Sequence, residues 1–265
     1  MKKISKKKLD KIIARHQHWL NKDCKGWETM KADLSRKDLS GENLSGANLS
    51  YANLSGADLS NADLRYSNVS GADLSNADLR YSDVSGADLT SADLRYSDVS
   101  GADLTSANLS RVDLTSANLS HVDLTSANLA NALMNENTVL DGVRYNETTA
   151  FFKPCCPEEG SFVAFKKAYM YNNDLDKVIV KLQVPATAQR SSATSRKCRV
   201  SEAKVVSITS LDGKKSFKKA RAYYDKLFIY EVGKTMKVKD FDPCRWHECA
   251  PGIHCFITRE EAVQY

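Results

Sequence analysis

A five-residue repeat fills the middle of the chain and restricts the possible folds more than any other feature. From Ala32 onward the sequence reads Ala-(Asp/Asn)-Leu-x-x, and the leucine position recurs every five residues from Leu34 to Val139, in 22 repeats. Valine or methionine replaces this leucine at Val69, Val84, Val99, Met134 and Val139. A period of five matches neither an α-helix nor a meander of hairpins, so the repeat predicts another regular structure.

Strand geometry explains the composition of each repeat. Side chains two positions apart lie on the same side of a strand, so alanine and leucine point inward and the residue between them points outward. Asp or Asn occupies 20 of the 22 outward positions. The other two residues, often Ser-Gly, Ser-Asn or Thr-Ser, are typical of tight turns. Residues 32–141 therefore predict a β-solenoid with a leucine interior and an acidic surface.

This pattern resembles the pentapeptide repeat family. The resemblance implies a mainly β fold, namely a right-handed quadrilateral β-helix with four repeats per coil. The 22 repeats would then make about five and a half coils, and roughly 4.8 Å per coil gives a rod about 26 Å long.

Four repeats per coil place every fourth repeat on the same side of the rod. Three sides then carry mostly aspartate, and eight residues define these acidic faces: Asp58, Asp63, Asp73, Asp78, Asp83, Asp93, Asp98 and Asp103. The fourth side, which we call the asparagine face, carries Asn48, Asn68, Asn108 and Asn128 with Asp88 among them. Stacked carboxylates about 4.8 Å apart repel by about 1 kcal/mol in water, whereas stacked amides can hydrogen-bond. We expect the asparagine face to pack against the C-terminal domain or a second chain.

Three Arg-Tyr pairs, Arg65-Tyr66, Arg80-Tyr81 and Arg95-Tyr96, recur at a constant interval of three repeats. Since a coil takes four repeats, the pairs fall on three different sides and cannot form one vertical binding stripe. We interpret them as corner covers that compensate charge locally, and nucleotide stacking is the alternative.

Residues 1–31 predict an amphipathic capping helix and a linker. One helical face carries Leu9, Ile12, Ile13, His16, Trp19 and Leu20. A solenoid needs such a cap because each open end exposes its core, and a helix commonly precedes these repeats in related proteins. His16 and His18 are then ordinary helix residues and not metal ligands. A basic amphipathic helix could instead bind a membrane or nucleic acid.

Residues 150–265 predict a small α+β or β-rich domain. Strands are expected at 161–168, 177–184, 199–208, 226–232 and 252–257, and Thr258 with Glu261 predicts a capping box that starts a short helix. The strings CPEEGSFVAFKKA, RSSATSRKCR and RWHECAPGIHCFITREEA resemble an uncharacterised domain found after pentapeptide repeats in bacterial and phage proteins. This second resemblance supplies a boundary and no chemistry.

Cysteine and histidine crowd into one segment, with Cys244, His247, Cys249, His254 and Cys255. Their spacing matches no standard zinc motif, so Cys244, Cys249, His254 and Cys255 are metal candidates only, and buried thiols in a packed loop are the preferred interpretation. Cys249 and His254 form a candidate nucleophile and base without a third group. The sequence holds no Gly-rich phosphate loop, Ser-centred elbow or HExxH motif. We expect no catalytic residue and no cofactor.

Eight basic residues of the C-terminal domain form what we call the basic stretch: Arg196, Lys197, Arg199, Lys214, Lys215, Lys218, Lys219 and Arg221. They are interleaved with Phe217, Tyr223 and Tyr224. Basic and aromatic residues together can bind nucleic acid. A solvated face, or docking on the acidic solenoid, are the other interpretations.

Charge is segregated along the chain. Residues 32–141 carry 6 Lys/Arg against 16 Asp/Glu, whereas residues 1–31 carry 10 against 3 and residues 142–265 carry 22 against 14. No apolar run approaches the length of a membrane span, and no apolar segment follows the lysine-rich start as in a signal peptide. We expect a cytoplasmic protein whose seven cysteines are mostly free thiols.

These features favour a non-enzymatic interaction or scaffold protein that uses the acidic solenoid as a platform for a protein partner or a second copy. Two alternatives stay open. The family resemblance implies a DNA mimic that modulates a type II topoisomerase, although about 26 Å is shorter than one DNA turn of roughly 34 Å. The C-terminal domain could instead be a small enzyme or a module that binds nucleic acid or a ligand.

Overall fold

The computed structural model describes residues 2–150, 152, 155–171, 173–192, 195–223, 225, 227–245 and 250–265. The chain divides into two compact units, Met1–Phe152 and Lys153–Tyr265. The first unit holds the repeats, and the second holds the strands that follow them. None of the described helices is long and apolar enough to cross a membrane.

Unit 1 begins with a strand, a helix and a turn. Strand β1 (Lys2–Lys3) pairs in parallel with β2 (Lys37–Asp38), and helix α1 (Lys6–Asn21) lies between them in the chain. A single 3-10 turn follows at Trp27–Thr29. The predicted apolar face of α1 is its least exposed face, and Leu9 on that face is only 1% exposed.

Parallel bridges stack the repeats into coils. Asp33 pairs with Asn53, and Asn53 pairs with Asp73, so every bridge joins a repeat to the fourth one after it. Each step carries two backbone hydrogen bonds, such as Leu34 N–H to Asn53 O at 2.7 Å and Asn53 N–H to Ala32 O at 3.0 Å. Four repeats therefore make one coil.

The bridges define four columns of outward side chains, one for each repeat of a coil. Column 1 runs from Asp33 to Asp113, column 2 from Asp38 to Asn118, column 3 from Asn43 to Asp123 and column 4 from Asn48 to Asn128. Column 4 is the asparagine face, and the other three hold the acidic faces.

The inward positions form the core of unit 1. Every leucine position from Leu34 to Leu129 is at most 2% exposed. Burial of one such side chain stabilises the fold by about 1.5–3 kcal/mol. Serine replaces the small inward alanine at Ser67, Ser82 and Ser97, and the hydroxyls of Ser82 and Ser97 each donate to a leucine carbonyl three residues earlier at 2.7 Å, whereas the buried Ser67 hydroxyl has no partner among the described residues.

The outward Asp or Asn closes the turn that follows it. Asp58 Oδ1 accepts the backbone N–H of Ser60 at 3.0 Å and its hydroxyl at 2.6 Å, and the next residue, Asn61, has a left-handed φ of 58°. Most repeats share this Asx turn. Only a short carboxylate or amide reaches the N–H two residues on, which explains the preference for Asp and Asn over Glu and Gln.

The structure departs from the predicted repeat after Met134. Asn118 pairs with Val139 and not with Thr138, and Val139 is 39% exposed while Thr138 is buried. The prediction that Val139 points inward, and that the repeats continue without an insertion, is therefore wrong.

One additional residue at each of two corners causes this shift. Residues 135–138 read Asn-Glu-Asn-Thr and residues 146–149 read Asn-Glu-Thr-Thr. In each corner the asparagine N–H donates to the threonine hydroxyl, which in turn donates to Leu114 O at 3.0 Å or to Leu124 O at 2.9 Å. Bridges continue as far as Ala150, beyond the predicted end at 141.

Unit 2 contains two antiparallel sheets and one short helix. Its strands are β3 (Phe162–Met170), β4 (Asn173–Val184), β5 (Arg190–Ser191), β6 (Cys198–Val200), β7 (Glu202–Ser210), β8 (Ser216–Phe217), β9 (Lys219–Arg221), β10 (Ile229–Glu231), β11 (Thr235–Lys237) and β12 (Ile253–Cys255). The larger sheet has the order β10-β9-β3-β4-β7-β11, with β8 also paired to β7, and the smaller has the order β12-β6-β5. The strand expected at 199–208 is split between β6 and β7, and the short β5, β8, β9 and β11 were not predicted.

The two faces of the β3–β4 pair bury different clusters. Ala164, Val180 and Leu182 belong to the main core, whereas Ile179 packs with Phe256 and with helix α2 (Arg259–Gln264) on the other face. The predicted capping box at the start of α2 is confirmed.

Candidate functional site

Arginines pair with at least one aspartate in each acidic column. Arg65, Arg80 and Arg95 pair with Asp63, Asp78 and Asp93, two residues earlier, in columns 3, 2 and 1. Each arginine also donates its backbone N–H to the same carboxylate, so it takes the place of the usual serine in the Asx turn. The hydrogen bonds from these arginines hold the pKa of all three aspartates below the ordinary value. This geometry agrees with local charge compensation.

The remaining predicted acidic residues differ in their neighbours. Asp83 lies 3.6 Å from Arg65 of the coil before it. The other four, Asp58, Asp73, Asp98 and Asp103, have no basic side chain within 4.0 Å among the residues that the structure describes. These four carboxylates, which we call the open carboxylates, are spread over columns 1, 2 and 3. The surface of the solenoid therefore carries separate unpaired carboxylates and not a continuous row of them.

The asparagine face makes one amide–amide bond. Asn128 Nδ2 donates to Asn108 Oδ1 at 3.4 Å, while the Asn108 amide donates to Thr90 Oγ1 at 2.9 Å. At the start of the same column, Gln17 of α1 donates to the Asn48 carbonyl at 3.1 Å, whereas Asn68 Oδ1 closes its own Asx turn with Ser70. The N-terminal helix thus contacts this column at its first coil. Docking of the C-terminal domain or of a second chain on this face stays a prediction.

His16 joins α1 to the first coil. Its Nδ1 accepts the Ala32 N–H at 3.0 Å, its Nε2–H donates to Ser50 O at 3.0 Å, and the residue is completely buried. Burial lowers the pKa of His16 below 6.5, so the neutral ring is the favoured form. The sequence shows only that His16 lies on the apolar face and not that both ring nitrogens are bonded. His18, by contrast, is exposed and pairs with Asp23.

Four tyrosines lie at left-handed corner positions, and three of them cover a glycine of the next coil. A Cβ added to Gly86 would lie 2.6 Å from the Tyr66 ring, and Gly71 and Gly101 stand in the same relation to Tyr51 and Tyr81. Tyr66 is nevertheless 74% exposed. The tyrosines therefore cover corners, as predicted, and their positions set where glycine is needed one coil later.

The structure does not bring the basic stretch together as one surface. Arg199 is 2% exposed, and its guanidinium donates to the carbonyls of Asp242, Pro251 and Cys244. Arg221 is 7% exposed and lies over the Tyr169 ring. Arg199 and Arg221 are therefore buried and do not form part of an exposed basic patch.

The other members of the basic stretch are less enclosed. Arg196 pairs with Glu261 at 2.6 Å, Lys219 pairs with Glu231 at 3.5 Å and Lys197 is half-buried. The last three members, Lys214, Lys215 and Lys218, are exposed.

The predicted metal and nucleophile candidates are dispersed where the structure describes them. Cys255 is fully buried opposite Cys198 on neighbouring strands, while His254 Nε2 donates to Ala250 O at 3.1 Å. Within the described part of the chain, Cys244, His254 and Cys255 do not form a group whose ligand atoms lie within 4.8 Å of one another. Cys249 lies outside the described residues, so the proposed Cys249–His254 pair stays untested.

A thiol pair that the sequence did not indicate lies in unit 2. Cys155 Sγ lies 3.8 Å from Cys198 Sγ, and Cys156 and Cys255 belong to the same core cluster. A hydrogen bond from Cys198 lowers the pKa of the half-buried Cys155 to about 7. The six described cysteines form no disulfide.

Comparison with known families adds independent evidence for the repeats. A family model described as pentapeptide repeats (8 copies) matches residues 30–65, 43–80, 57–95 and 92–131. The chain belongs to the pentapeptide repeat family. Residues 152–262 match a second model, described as a family of unknown function (DUF5758). The two matches fall in the two structural units.

Solved pentapeptide repeat proteins resemble part of this chain. One from the cyanobacterium Cyanothece 51142 is 30% identical, with 44% of this chain and 88% of that chain covered and a TM-score of 0.37. One from Nostoc Pcc 7120 is 25% identical, with 55% and 98% covered and a TM-score of 0.32. QnrB1, a plasmid-mediated fluoroquinolone resistance protein, is 23% identical in a trypsin-treated form, with 44% and 78% covered and a TM-score of 0.26. No curated protein matches the chain.

Proposed function

We propose that this pentapeptide repeat protein is a non-enzymatic interaction protein of the cytoplasm whose solenoid presents fixed carboxylates to a basic protein partner. In this proposal the solenoid is a right-handed quadrilateral β-helix and α1 is its N-terminal cap. The bridges between every fourth repeat support the four-sided form, and the contacts of His16 support the cap.

The Asx turns are the observation that carries the proposal. In each turn one carboxylate oxygen is held by the backbone, as in Asp58, where Oδ1 accepts from Ser60. A side chain fixed in this way loses little conformational freedom when a partner binds, so less of the binding energy is spent on ordering it. The four open carboxylates are fixed and have no ion-pair partner among the described residues, which makes them the best-prepared contacts for lysine and arginine.

Site-specific photocrosslinking in cells tests this proposal. A photoreactive residue at Asn61, beside Asp58, is expected to crosslink a basic protein, and the yield should fall at least fivefold when Asp58, Asp73, Asp98 and Asp103 become asparagine. Asparagine preserves the Asx turn, so a loss reflects charge and not folding. As a matched control, Asp63→Asn and Asp93→Asn remove carboxylates that already have an arginine. Equal crosslinking in all variants, or no specific product, would refute the proposal that the carboxylates of the solenoid bind a basic protein.

Topoisomerase modulation is the second candidate, because columns 2 and 3 repeat carboxylates at strand spacing over several coils. A supercoiling assay with purified gyrase separates the two. Inhibition or protection at micromolar protein that disappears in the fourfold asparagine variant would favour DNA mimicry, and an unaffected enzyme would exclude it.

A further inference from the structure

Unit 2 contains a cleft of about 860 Å³ at the outer edge of β3. On this edge Phe165 exchanges two 2.8 Å backbone hydrogen bonds with Phe256, and farther along Tyr169 pairs with Arg221 of β9. Among the described residues, 166–168 have no strand partner on this edge. These three residues, which form a gap in the strand pairing, line the cleft.

The gap presents backbone groups to the cleft. Hydrogen-bonding groups of alternate residues point to the same edge of a strand, so the N–H of Lys167 points to the same side as that of Phe165. Gly252 also lines the cleft, and it lies against the side chain of Arg199, where no Cβ would fit.

The lining of the cleft is strongly basic. Its described residues include five lysines, namely Lys166, Lys167, Lys177, Lys237 and Lys239, and one acidic side chain, that of Asp225. Lys237 has a partner outside the lining, Glu202, at 2.8 Å. A concave site with several lysines and low-dielectric walls concentrates anions.

Lys166 is a half-buried lysine of the cleft whose charge could be balanced by a bound anion. Its ammonium group is half-buried and donates to the His254 carbonyl at 3.0 Å, and within the described residues no carboxylate lies within 4.0 Å of it. Burial lowers the pKa of Lys166, and nearby Lys197 lowers it further. His254 supplies no charge at neutral pH, because burial and Lys166 lower its pKa to about 4. A buried charge without a counter-ion is costly, and an anionic ligand would remove that cost.

The lining of the cleft also contains aromatic residues. Tyr169 and Tyr223 are stacked with ring centroids 5.1 Å apart, and Phe228 meets Tyr230 edge to face at 5.3 Å. Flat apolar surfaces of this kind bind planar rings, and a volume of about 860 Å³ is typical of sites for ligands of drug or nucleotide size.

We propose that this cleft binds a small aromatic phosphate of the mononucleotide class, with the phosphate at the lysines around Lys166 and the ring against the exposed Tyr223. This inference goes beyond the proposed function of the solenoid and does not depend on it. It assigns a ligand site to the unit whose family has no described function.

Isothermal titration of the full chain with four ribonucleoside monophosphates tests the proposal, with inorganic phosphate and the free nucleosides as comparison probes. At least one monophosphate should bind at least tenfold more tightly than both its nucleoside and inorganic phosphate. Lys166→Met should weaken that binding at least tenfold, and Lys214→Met, an exposed lysine outside the lining, should leave it unchanged.

Tyr223→Ala keeps the test decisive if Lys166→Met does not fold, since Tyr223 is 55% exposed and its truncation is tolerable. This variant should weaken monophosphate binding three- to tenfold without changing the affinity for inorganic phosphate. Absence of monophosphate binding at millimolar concentration, or binding that neither variant weakens, would overturn the proposal.

Discussion

The solenoid and the C-terminal unit both consist mainly of strands, but they fix the role of a residue in different ways. In the solenoid the role follows from position, because the equivalent residue four repeats later in the sequence lies directly above it. In unit 2, Arg199 and Lys214 belong to one basic stretch, yet Arg199 is 2% exposed and Lys214 lies on the surface. In a chain with a short repeat, the position of a residue in the sequence therefore predicts its tertiary contacts. In a chain without a repeat it does not.

The largest effect should come from Arg199→Ala in unit 2. The substitution removes the guanidinium hydrogen bonds to the carbonyls of Asp242, Cys244 and Pro251, and each lost hydrogen bond from a charged group costs about 1.5–3 kcal/mol. We expect unit 2 to lose about 3 kcal/mol or more, measured by hydrogen exchange of its slowest amides. Lys214→Ala is the control and should change little. Equal effects of both substitutions would place Arg199 on a surface after all.

Leu89→Ala in the solenoid should destabilise unit 1 by about 2–5 kcal/mol, because it leaves a cavity in a core that the neighbouring coils share. Hydrogen exchange should rise in the coils around Leu89 and stay constant in unit 2. Leu133→Ala, at a position that is 58% exposed, should cost less than about 0.5 kcal/mol. Faster exchange throughout unit 2 would show that the units do not unfold separately.

His16→Ala should destabilise the start of the solenoid by about 2–3 kcal/mol, because it strands the Ala32 N–H and the Ser50 carbonyl. His18→Ala, at an exposed neighbour, is the control. Thermal unfolding monitored by tryptophan fluorescence and hydrogen exchange near residue 32 measure the difference.

The His16 contribution should also depend on pH. The pKa of His16 is lower in the folded state than the ordinary value of 6.5. The contribution of His16 to folding stability is therefore complete above pH 6.5, and it is lost as the pH falls through the lowered pKa of the folded state. The stability difference between wild type and His16→Ala should therefore shrink on acidification. A difference that is constant from pH 8 to pH 5 would contradict the neutral, doubly bonded ring.

Gly86→Ala and Gly46→Ala form a matched pair within the repeat. Both glycines have left-handed φ values, of 65° and 66°, so both substitutions should carry about 1 kcal/mol of backbone strain. Only at Gly86 does a Cβ meet a ring, that of Tyr66, and this should add roughly 0.5 kcal/mol. The additional cost should vanish in a Tyr66→Ala background, as measured by urea unfolding. If the additional cost persists there, the ring is not its cause.

The smallest effect is expected for Arg80→Gln. Asp78 loses the hydrogen bonds that depress its pKa, so the pKa should rise toward 3.8 in an NMR titration. The stability that the Arg80–Asp78 pair contributes in the wild-type protein is present above pH 3.8, and it is lost as the pH falls through the lowered pKa of Asp78 in the folded state. Asp33, whose pKa is held low by Ser35, should not move. A coupled shift of Asp33 would show that charge is shared along the rod.

Two sequence predictions depended on short-range patterns and were correct for that reason. Thr258 and Glu261 are three residues apart, and the capping box forms as expected. The Arg-Tyr pairs compensate charge within their own corner, since Arg80 reaches an aspartate only two residues earlier. The thiol pair that the sequence missed involves more distant segments. Cys155 meets Cys198 across 43 residues, and no local signal connects them.

The sequence by itself determined the solenoid and its inward leucines, because both follow from a five-residue period, whereas four repeats per coil were implied by the family resemblance and are seen in the bridges. Only the tertiary structure decided that His16 bonds the first coil, that Asn135 and Asn146 open corners with one additional residue, and that Arg199 lies inside unit 2. Those outcomes depend on which distant carbonyls and amides come within hydrogen-bonding distance of one another. A buried polar group that has no hydrogen-bond partner inside the protein destabilises the fold, so these distant pairings determine which side chains can be buried.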